Sequence, residues 1–396
     1  MSKELLSRFG KKGLLAVAAC FLCELTAVGI GAGTNSLYTA PICQDLEISR
    51  TAYSVSTALI YLVNMAVYFS FPLLLRRIPL RGIFLLGFGA EAAAFLLYSQ
   101  ASNVGVLCVS ASLLGIGLVF LGAVPITTVV TSWFPQRAGT MLGIVLAGSG
   151  IGGAVLIPGV GIVMEQFGWR NAFLVSAGLV TFTAVLCLAF LQTNPQNKPP
   201  VEKEPRISLL SSLRIPGISW ALVYGFLAGF SIQPTYLSIA AHLAEQGISS
   251  QKASQVLGAI CLVSLIAKVI LGAVSDRFGP LPVLACSHGG FVLAAVALVF
   301  FPQVFLPTEV FFGFGSLPLS LVLPILTNWL FHEKSSQALS LCMAAQTAGI
   351  SVGILMAGGA FDLFGGYEEI FLFLGAVNFL AFLALLLGQN NRIKGK

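Results

Sequence analysis

The chain has 396 residues, 57% hydrophobic and 9% charged, with a net charge of +6 and a mean hydropathy of +0.93. A soluble domain carries about 25% charged residues, and no water-facing surface on a protein of this size conceals so much apolar area. The composition therefore excludes a water-soluble protein. It also excludes nucleic-acid binding as the meaning of the positive charge, because the basic residues sit at the ends of apolar runs, as they do when they orient a membrane protein.

A helix crosses the hydrocarbon core in about 20 residues and satisfies its own backbone hydrogen bonds there. Apolar runs at 14–40, 51–75, 82–99, 104–131, 139–165, 171–192, 219–243, 252–275, 281–300, 305–331, 337–363 and 369–389 predict twelve spans. The first run is too long for the apolar part of a cleavable signal and is expected to be the first span. Several runs exceed a straight crossing, so tilt is expected. The stretch from Thr193 to Ser219 holds Asn194, Pro195, Lys198, Pro199, Pro200, Glu202, Lys203, Glu204, Pro205 and Arg206, and reads as a linker. The expected organisation is a six-helix bundle over 1–193, a linker over 194–218 and a second six-helix bundle over 219–396. The fold class is all-α and integral to the membrane, with two pseudo-symmetric bundles.

Taken in chain order, the spans carry a small set of polar groups. Span one has Glu24, and helical counting puts Gly31, Asn35 and Tyr38 on its face. Span two offers Tyr61, Asn64 and Tyr68, and span three holds Glu91. Thr127 and Thr128 lie in span four, where bonding back to the same helix is the usual outcome. Span five is rich in glycine; Gly148 and Gly152 form a G-x-x-x-G that lets helices approach closely in lipid. Span seven has Gln233, Pro234 and Tyr236; span eight has Ser264 and Lys268; span eleven has Gln346. A charge at mid-membrane costs about 2.5–3.5 kcal/mol on insertion scales, so Glu24, Glu91 and Lys268 each need a partner or a wet cavity. Lys268 has two readings, a solute contact or a side chain that snorkels outward. Glu24 likewise either exchanges a proton or is a paired or neutral structural residue. Glu91 is expected to be structural.

With the N-terminus in the cytoplasm, 17 of the Lys and Arg residues fall on the cytoplasmic side and 3 on the outer side (Arg50, Arg170 and Lys252). Every loop then obeys the positive-inside rule, with both termini cytoplasmic in a plasma or inner membrane. The halves also echo each other. Thr131-Ser132-Trp133-Phe134 with Arg137 ends span four, and Thr327-Asn328-Trp329-Leu330-Phe331 with Lys334 ends span ten. Gly150-Ile151 with Gly153 is repeated by Gly349-Ile350 with Gly353. Carriers built from such repeats place the solute near the midplane between the halves.

Gly272-Ala273-Val274-Ser275-Asp276-Arg277-Phe278-Gly279, between spans eight and nine, resembles the G-x-x-x-D-R-x-G loop of the major facilitator superfamily. That resemblance implies a gating loop of Gly272, Asp276, Arg277 and Gly279. The corresponding loop of the first half, Leu75 to Arg81, lacks the Gly and Asp. Three further stretches resemble the monocarboxylate transporter and oxalate/formate antiporter branch. They are Tyr38-Thr39-Ala40-Pro41 with Ser49-Arg50-Thr51-Ala52, Trp133-Phe134-Pro135-Gln136-Arg137 with Gly139 and Gly143, and Gly148 to Gly153 with Gly168-Trp169-Arg170-Asn171. In that branch a basic residue four positions before a Gly in span eight holds the substrate carboxylate, which implies Lys268 here. Lys is a point charge where the branch usually has the fork of Arg, and Ser264 stands where many of its members have an acid. The resemblance thus implies Lys268 as a substrate contact, and the polar helix faces add Asn35, Tyr38, Tyr61, Asn64, Gln233, Tyr236, Ser264 and Gln346 as substrate-binding candidates, with Glu24 as the proton-coupling candidate.

The eight cysteines fall mostly in apolar runs, and Cys20-x-x-Cys23 has neither a second pair nor a nearby His, so they read as inert thiols. His242, His288 and His332 are scattered, and no phosphate loop, metal cluster or nucleophile triad is visible. No cofactor or metal is expected, and no enzyme. The function expected is a secondary carrier, with a monomeric functional unit, that moves a small organic anion by alternating access, through proton symport or anion exchange. Its rivals are an exporter of drugs or amphipathic solutes and, from another class, a non-transporting receptor.

Overall fold

The computed structural model describes residues 3–134, 138–191, 217–331 and 335–393, and among these it is helical with no strand. The expected linker lies outside the described residues except for its last two positions, Gly217 and Ile218.

Among the described residues, helices follow each of the twelve apolar runs. Helix 2 is Arg50–Arg77, helix 3 Leu80–Ser99, helix 7 Ile218–Glu245, helix 8 Ser250–Phe278 and helix 9 Pro280–Phe300. Helix 11 is Ser335–Phe364 and helix 12 Glu368–Ile393. The continuous stretch Ala138–Phe190 has 53 residues. At 1.5 Å per residue it is about 80 Å long, more than twice the ~30 Å hydrocarbon core. It is two helices, 5 and 6, separated at Gly168, whose φ of 81° and ψ of 168° belong to a region that only glycine adopts readily.

Three helices are interrupted. Helix 4 is Val104–Leu121 followed by Ala123–Trp133, broken at the extended residue Gly122 just before Pro125. Helix 10 is Phe305–Gly315 and Val322–Phe331, bent by 43° around a 3₁₀ turn at Leu317–Leu319. Helix 1 is the most irregular: Lys3–Cys23, a π-helix Glu24–Val28, the turn Gly29–Gly31, a non-helical step at 32–34, then Asn35–Asp45. The expected single face carrying Glu24, Gly31, Asn35 and Tyr38 is therefore not formed. Counting by 3.6 residues fails across a π segment and a break.

Contacts divide the chain into two units, one of Met1–Tyr38, Val63–Glu204 and Ser250–Gly258, the other of Thr39–Leu62, Pro205–Ser249 and Ala259–Lys396. These follow the sequence halves except that 39–62 and 250–258 each pack with the opposite half.

In the first unit, helix 5 crosses the irregular part of helix 1 through glycine. A Cβ on Gly148 would stand 2.7 Å from the Phe21 carbonyl oxygen, and one on Gly152 would overlap that of Leu25. Around Phe173 the rings of Tyr38, Phe95, Tyr98 and Trp169 form an aromatic core, with Tyr38 stacked at 3.8 Å. In the second unit helices 7 and 11 cross in the same manner, Gly229 against the Gln346 carbonyl and Gly349 against that of Phe226.

Candidate functional site

The polar residues of the second unit come together in pairs. Gln233 Nε2 donates to the Tyr61 hydroxyl at 2.8 Å. The Ser264 and Ser316 hydroxyls lie 3.0 Å apart, joining helix 8 to the interruption of helix 10. Tyr236 Oη is 4.0 Å from Cys261 Sγ. Gln346 Nε2 reaches the Pro318 carbonyl at 3.4 Å, in that same interruption. Beside these groups Tyr61, Tyr236 and Leu319 pack on an apolar cluster of Ala58, Leu237, Ile350 and Ile354.

Lys268 is half-buried in the middle of this unit's helix 8. Cys261, Ser264 and Lys268, at steps of three and four, share one helix face. Tyr236 and Ser316 meet that face at its first two members. The Lys268 ammonium also acts electrostatically on the Cys261 thiol. The arrangement sets one cation at the end of a short row of hydroxyl and amide groups, the donor set that a carboxylate needs.

The remaining sequence candidates fall in the first unit. Asn35 is buried and returns its amide to the Gly31 carbonyl at 3.0 Å. Tyr38 is fully buried in the aromatic core. Asn64 is half-buried. Glu24 is buried at the first residue of the π-helix, against Gly148. Glu91 is 0% exposed, and neither carboxyl oxygen has a hydrogen-bond partner among the described residues. It presses on Gly31 and Gly117, so that a Cβ on Gly31 would lie 2.6 Å from Glu91 Oε1.

In the loop after helix 8, Gly279 has a φ of 79° and turns the chain directly into helix 9. The Arg277 guanidinium lies over the Phe278 ring, 5.3 Å from its centroid. The side chain of Asp276 lies outside the described residues.

One cluster was not anticipated from the sequence. At the start of helix 2 the Arg50 and Thr51 amides and the Thr51 hydroxyl all donate to Asp362 of helix 11. Arg50 Nη2 is 3.6 Å from Glu245 Oε1, and its guanidinium lies 5.0 Å above the Phe361 ring. Glu245 is two residues beyond the seventh span, and burial pushes its carboxyl up to about 7 while Arg50 opposes the shift.

Among the described residues, long apolar helices in two glycine-packed units, with only Glu24, Glu91 and Lys268 charged deep within them, define a polytopic membrane protein. The family model of the Major Facilitator Superfamily matches residues 17–304 and 225–395, and the chain belongs to that superfamily. It is 25% identical over 306 residues to monocarboxylate transporter 12 of Xenopus laevis, covering 68% of this chain and 66% of that protein. It is 25% identical over 235 residues to the probable transporter MCH2 of Saccharomyces cerevisiae, covering 58% of this chain and 49% of that one. The matched segments thus span less than two thirds of these relatives. Among solved structures, a mutant form of the nucleoside transporter NupG superposes with a TM-score of 0.80 at 12% identity, over 94% of this chain and 99% of that one. A bacterial homologue of the human lysosomal transporter Spinster superposes at 0.70 with 15% identity, over 98% and 99%.

Proposed function

We propose that the chain is a secondary carrier of a small organic anion, a monocarboxylate in the first instance. It works by alternating access in a plasma or inner membrane, with both termini cytoplasmic and a single chain as the functional unit. One observation carries this reading: Lys268 shares a helix face with Ser264 and Cys261, and Tyr236 and Ser316 meet that face. A carboxylate is the solute group that a cation placed mid-span attracts. The solute carboxylate accepts from Lys268 Nζ, and Gln233, Tyr61 and Gln346 orient the rest of the molecule. The monocarboxylate transporter among the relatives supports the choice of solute. Glu24 is the proposed proton-coupling group, and the loop of Gly272, Asp276, Arg277 and Gly279 the proposed gate. Proton symport and anion exchange both supply a driving force.

The test is uptake into liposomes of labelled lactate, formate, oxalate and a neutral analogue, with and without a pH gradient. Anion uptake that exceeds uptake of the analogue and is lost in Lys268→Gln is expected. Undiminished anion uptake in that variant would overturn the carboxylate reading while leaving the fold untouched.

A further inference from the structure

Ile48-Ser49-Arg50-Thr51-Ala52-Tyr53-Ser54, at the start of helix 2, is repeated at the start of helix 8 by Ile248-Ser249-Ser250-Gln251-Lys252-Ala253-Ser254. Both follow helix ends closed by the same cap. In one, the Ile48 amide donates to the Cys43 carbonyl at 3.1 Å, with Glu47 left-handed at φ 50°. In the other, Ile248 donates to Leu243 at 3.0 Å, with Gly247 at φ 76°. A carboxylate accepts from each stretch at the same place, Asp362 from the Thr51 amide and Glu165 from the Gln251 amide, both at 2.8 Å. The copies differ in their hydroxyls. In this register Thr39, Tyr53 and Thr57 stand where the other copy has Ile239, Ala253 and Leu257. Ser54 matches Ser254, which bonds back to its own helix at the Gln251 carbonyl, 2.7 Å away. The hydroxyls of the first copy are therefore not a requirement of the repeated fold.

They line a cavity of about 20 Å³ inside the second unit, together with Ser238 of helix 7 and Tyr367 just before helix 12. The rest of its lining is aliphatic, proline or glycine, with no carboxylate, amide or imidazole side chain. The Thr39 and Thr57 hydroxyls act on that of Tyr53. Ser54, Ser238 and Tyr367 are each more than nine-tenths buried, and their hydroxyls make no hydrogen bond among the described residues. Arg50 precedes Tyr53 and Ser54 by three and four residues and so shares their helix face. Its guanidinium acts electrostatically on both tyrosines of the cavity, Tyr53 and Tyr367. Nη2 faces Glu245, whereas Nη1 is buried without a hydrogen-bond partner.

Buried hydroxyls without partners are costly, and a guest that pairs with them removes the cost. A water molecule needs roughly 10–15 Å³ of such space, so the cavity admits one guest of about that size and no organic anion. Its charge follows from the lining. A hard cation is held by carboxylate and carbonyl oxygens, and no side chain of the lining carries one. The three free hydroxyls can each turn a proton inward, which gives an anion convergent donors. The charge nearest Tyr53 is the cation of Arg50. Asp362 is already engaged by the Arg50 and Thr51 amides, and Glu245 by Nη2 of Arg50.

We propose that this cavity is a binding site for a single halide ion, chloride in the first instance, held by the hydroxyls of Ser54, Ser238 and Tyr367 with Arg50 as its countercharge. The site is separate from the solute row. Leu237 and Ile354 line the cavity and also belong to the apolar cluster on which Tyr61 and Tyr236 pack, so aliphatic side chains stand between the two. The halide adds to the protein's stability and is not the transported anion.

The melting temperature of the purified full-length protein tests this, with chloride, bromide or sulfate replacing gluconate at constant ionic strength. Chloride and bromide are expected to raise it saturably by several degrees, as a ligand of the folded state does, and sulfate is expected to leave it unchanged. Ser238→Ala and Tyr367→Phe each remove one donor without adding bulk. Each is expected to raise the half-saturating chloride concentration about tenfold, the effect of one lost hydrogen bond. Arg50→Gln is expected to abolish the response; if that variant does not fold, the other two decide. Lys268→Gln is expected to keep the response in full. An equal response to every anion, or a wild-type response in both Ser238→Ala and Tyr367→Phe, would mean that the cavity holds water alone and overturns the halide site. Loss of the response in Lys268→Gln overturns it as well, because the halide would then sit in the solute row. The assay needs no transport, so it fails or succeeds independently of anion uptake.

Discussion

The Tyr224 hydroxyl lies 3.2 Å from Nε2 of His288, and this contact fixes the protonation of a buried chain across helices 7, 9 and 12. Asn378 Nδ2 donates to Ser231 Oγ at 2.9 Å, so its Oδ1 faces His288 Nδ1 at 2.7 Å. Nδ1 therefore carries the proton, and Nε2 accepts from Tyr224. Every member is satisfied, the condition under which a buried polar network holds helices in one register. Tyr224→Phe leaves Nε2 without its donor and is expected to cost about 1 kcal/mol. His288→Phe is expected to cost more, because it strands both neighbours. A double-mutant cycle by thermal or chemical unfolding should return a non-additive coupling for the pair; additivity would show that the contact contributes nothing.

Gly272, inside helix 8, and Gly279, just after it, are expected to respond differently to alanine. Neither has an atom within 4 Å of an added Cβ, but Gly279 has a φ of 79°. Gly279→Ala forces a side chain into a backbone region costing about 1–3 kcal/mol, and a lower melting temperature is expected. Gly272→Ala is expected to leave stability unchanged. A transport defect in Gly272→Ala at unchanged stability would locate a moving contact there.

Lys268→Arg is expected to keep anion uptake, with an altered KM. The charge remains, and the fork adds a second donor to the carboxylate. Its contrast with Lys268→Gln separates a need for charge from a need for length. Loss of uptake in both variants would mean that the compact ammonium is required.

Glu24→Gln and Glu91→Gln separate the two buried acids of the first unit. If Glu24 couples protons, Glu24→Gln loses uphill uptake driven by a pH gradient but retains exchange of labelled for unlabelled anion. Glu91→Gln is expected to retain both. The reverse pattern would transfer the coupling role to Glu91.

The stability of the protein is expected to depend on the protonation of Glu245. Glu245 is raised from its ordinary 4.5 to about 7 by burial, with Arg50 opposing. His242, Glu368 and Glu369 line the same surface cavity, and Asp362 binds the neighbouring amides. A carboxyl raised in the native state contributes stability that is full below its ordinary value and is lost as the pH rises through about 7. The melting temperature of the wild-type protein should therefore fall relative to Glu245→Gln between about pH 5 and pH 8, with the two profiles parallel below that window. Parallel profiles throughout would show that Arg50 fully offsets the burial.

The spans were legible because lipid imposes a single long-range rule on composition, and a run such as 281–300 has one plausible structure. The interruption of helix 1 was less so. Its signals were present in Gly29, Gly31 and Gly33, but periodic counting from Glu24 to Tyr38 assumes the regularity that those glycines remove. On helix 8, which is continuous, the three- and four-residue spacing of Cys261, Ser264 and Lys268 does define one face. The capped turns escaped notice for a different reason. Arg50, Asp362, Glu165 and Gln251 are ordinary span-end polar residues until two distant stretches are laid on one another. The repeat that reveals them, from Ile48 to Ser54 and from Ile248 to Ser254, lies in loops and not in the glycine-rich spans where similarity between halves is easiest to see.

The left-handed residue that closes the first part of the chain offers a practical handle. Glu47 and Gly247 occupy the same position in two copies of one cap, yet only the second is the residue that such a conformation favours. An ancestral glycine lost from one copy would leave such a mismatch, and Glu47→Gly would undo it, relieving about 1 kcal/mol of backbone strain. Membrane carriers are often limited by their survival in detergent. This substitution is expected to improve that survival without altering any side chain assigned to the solute, so a stabilised protein for further work need not be a crippled one.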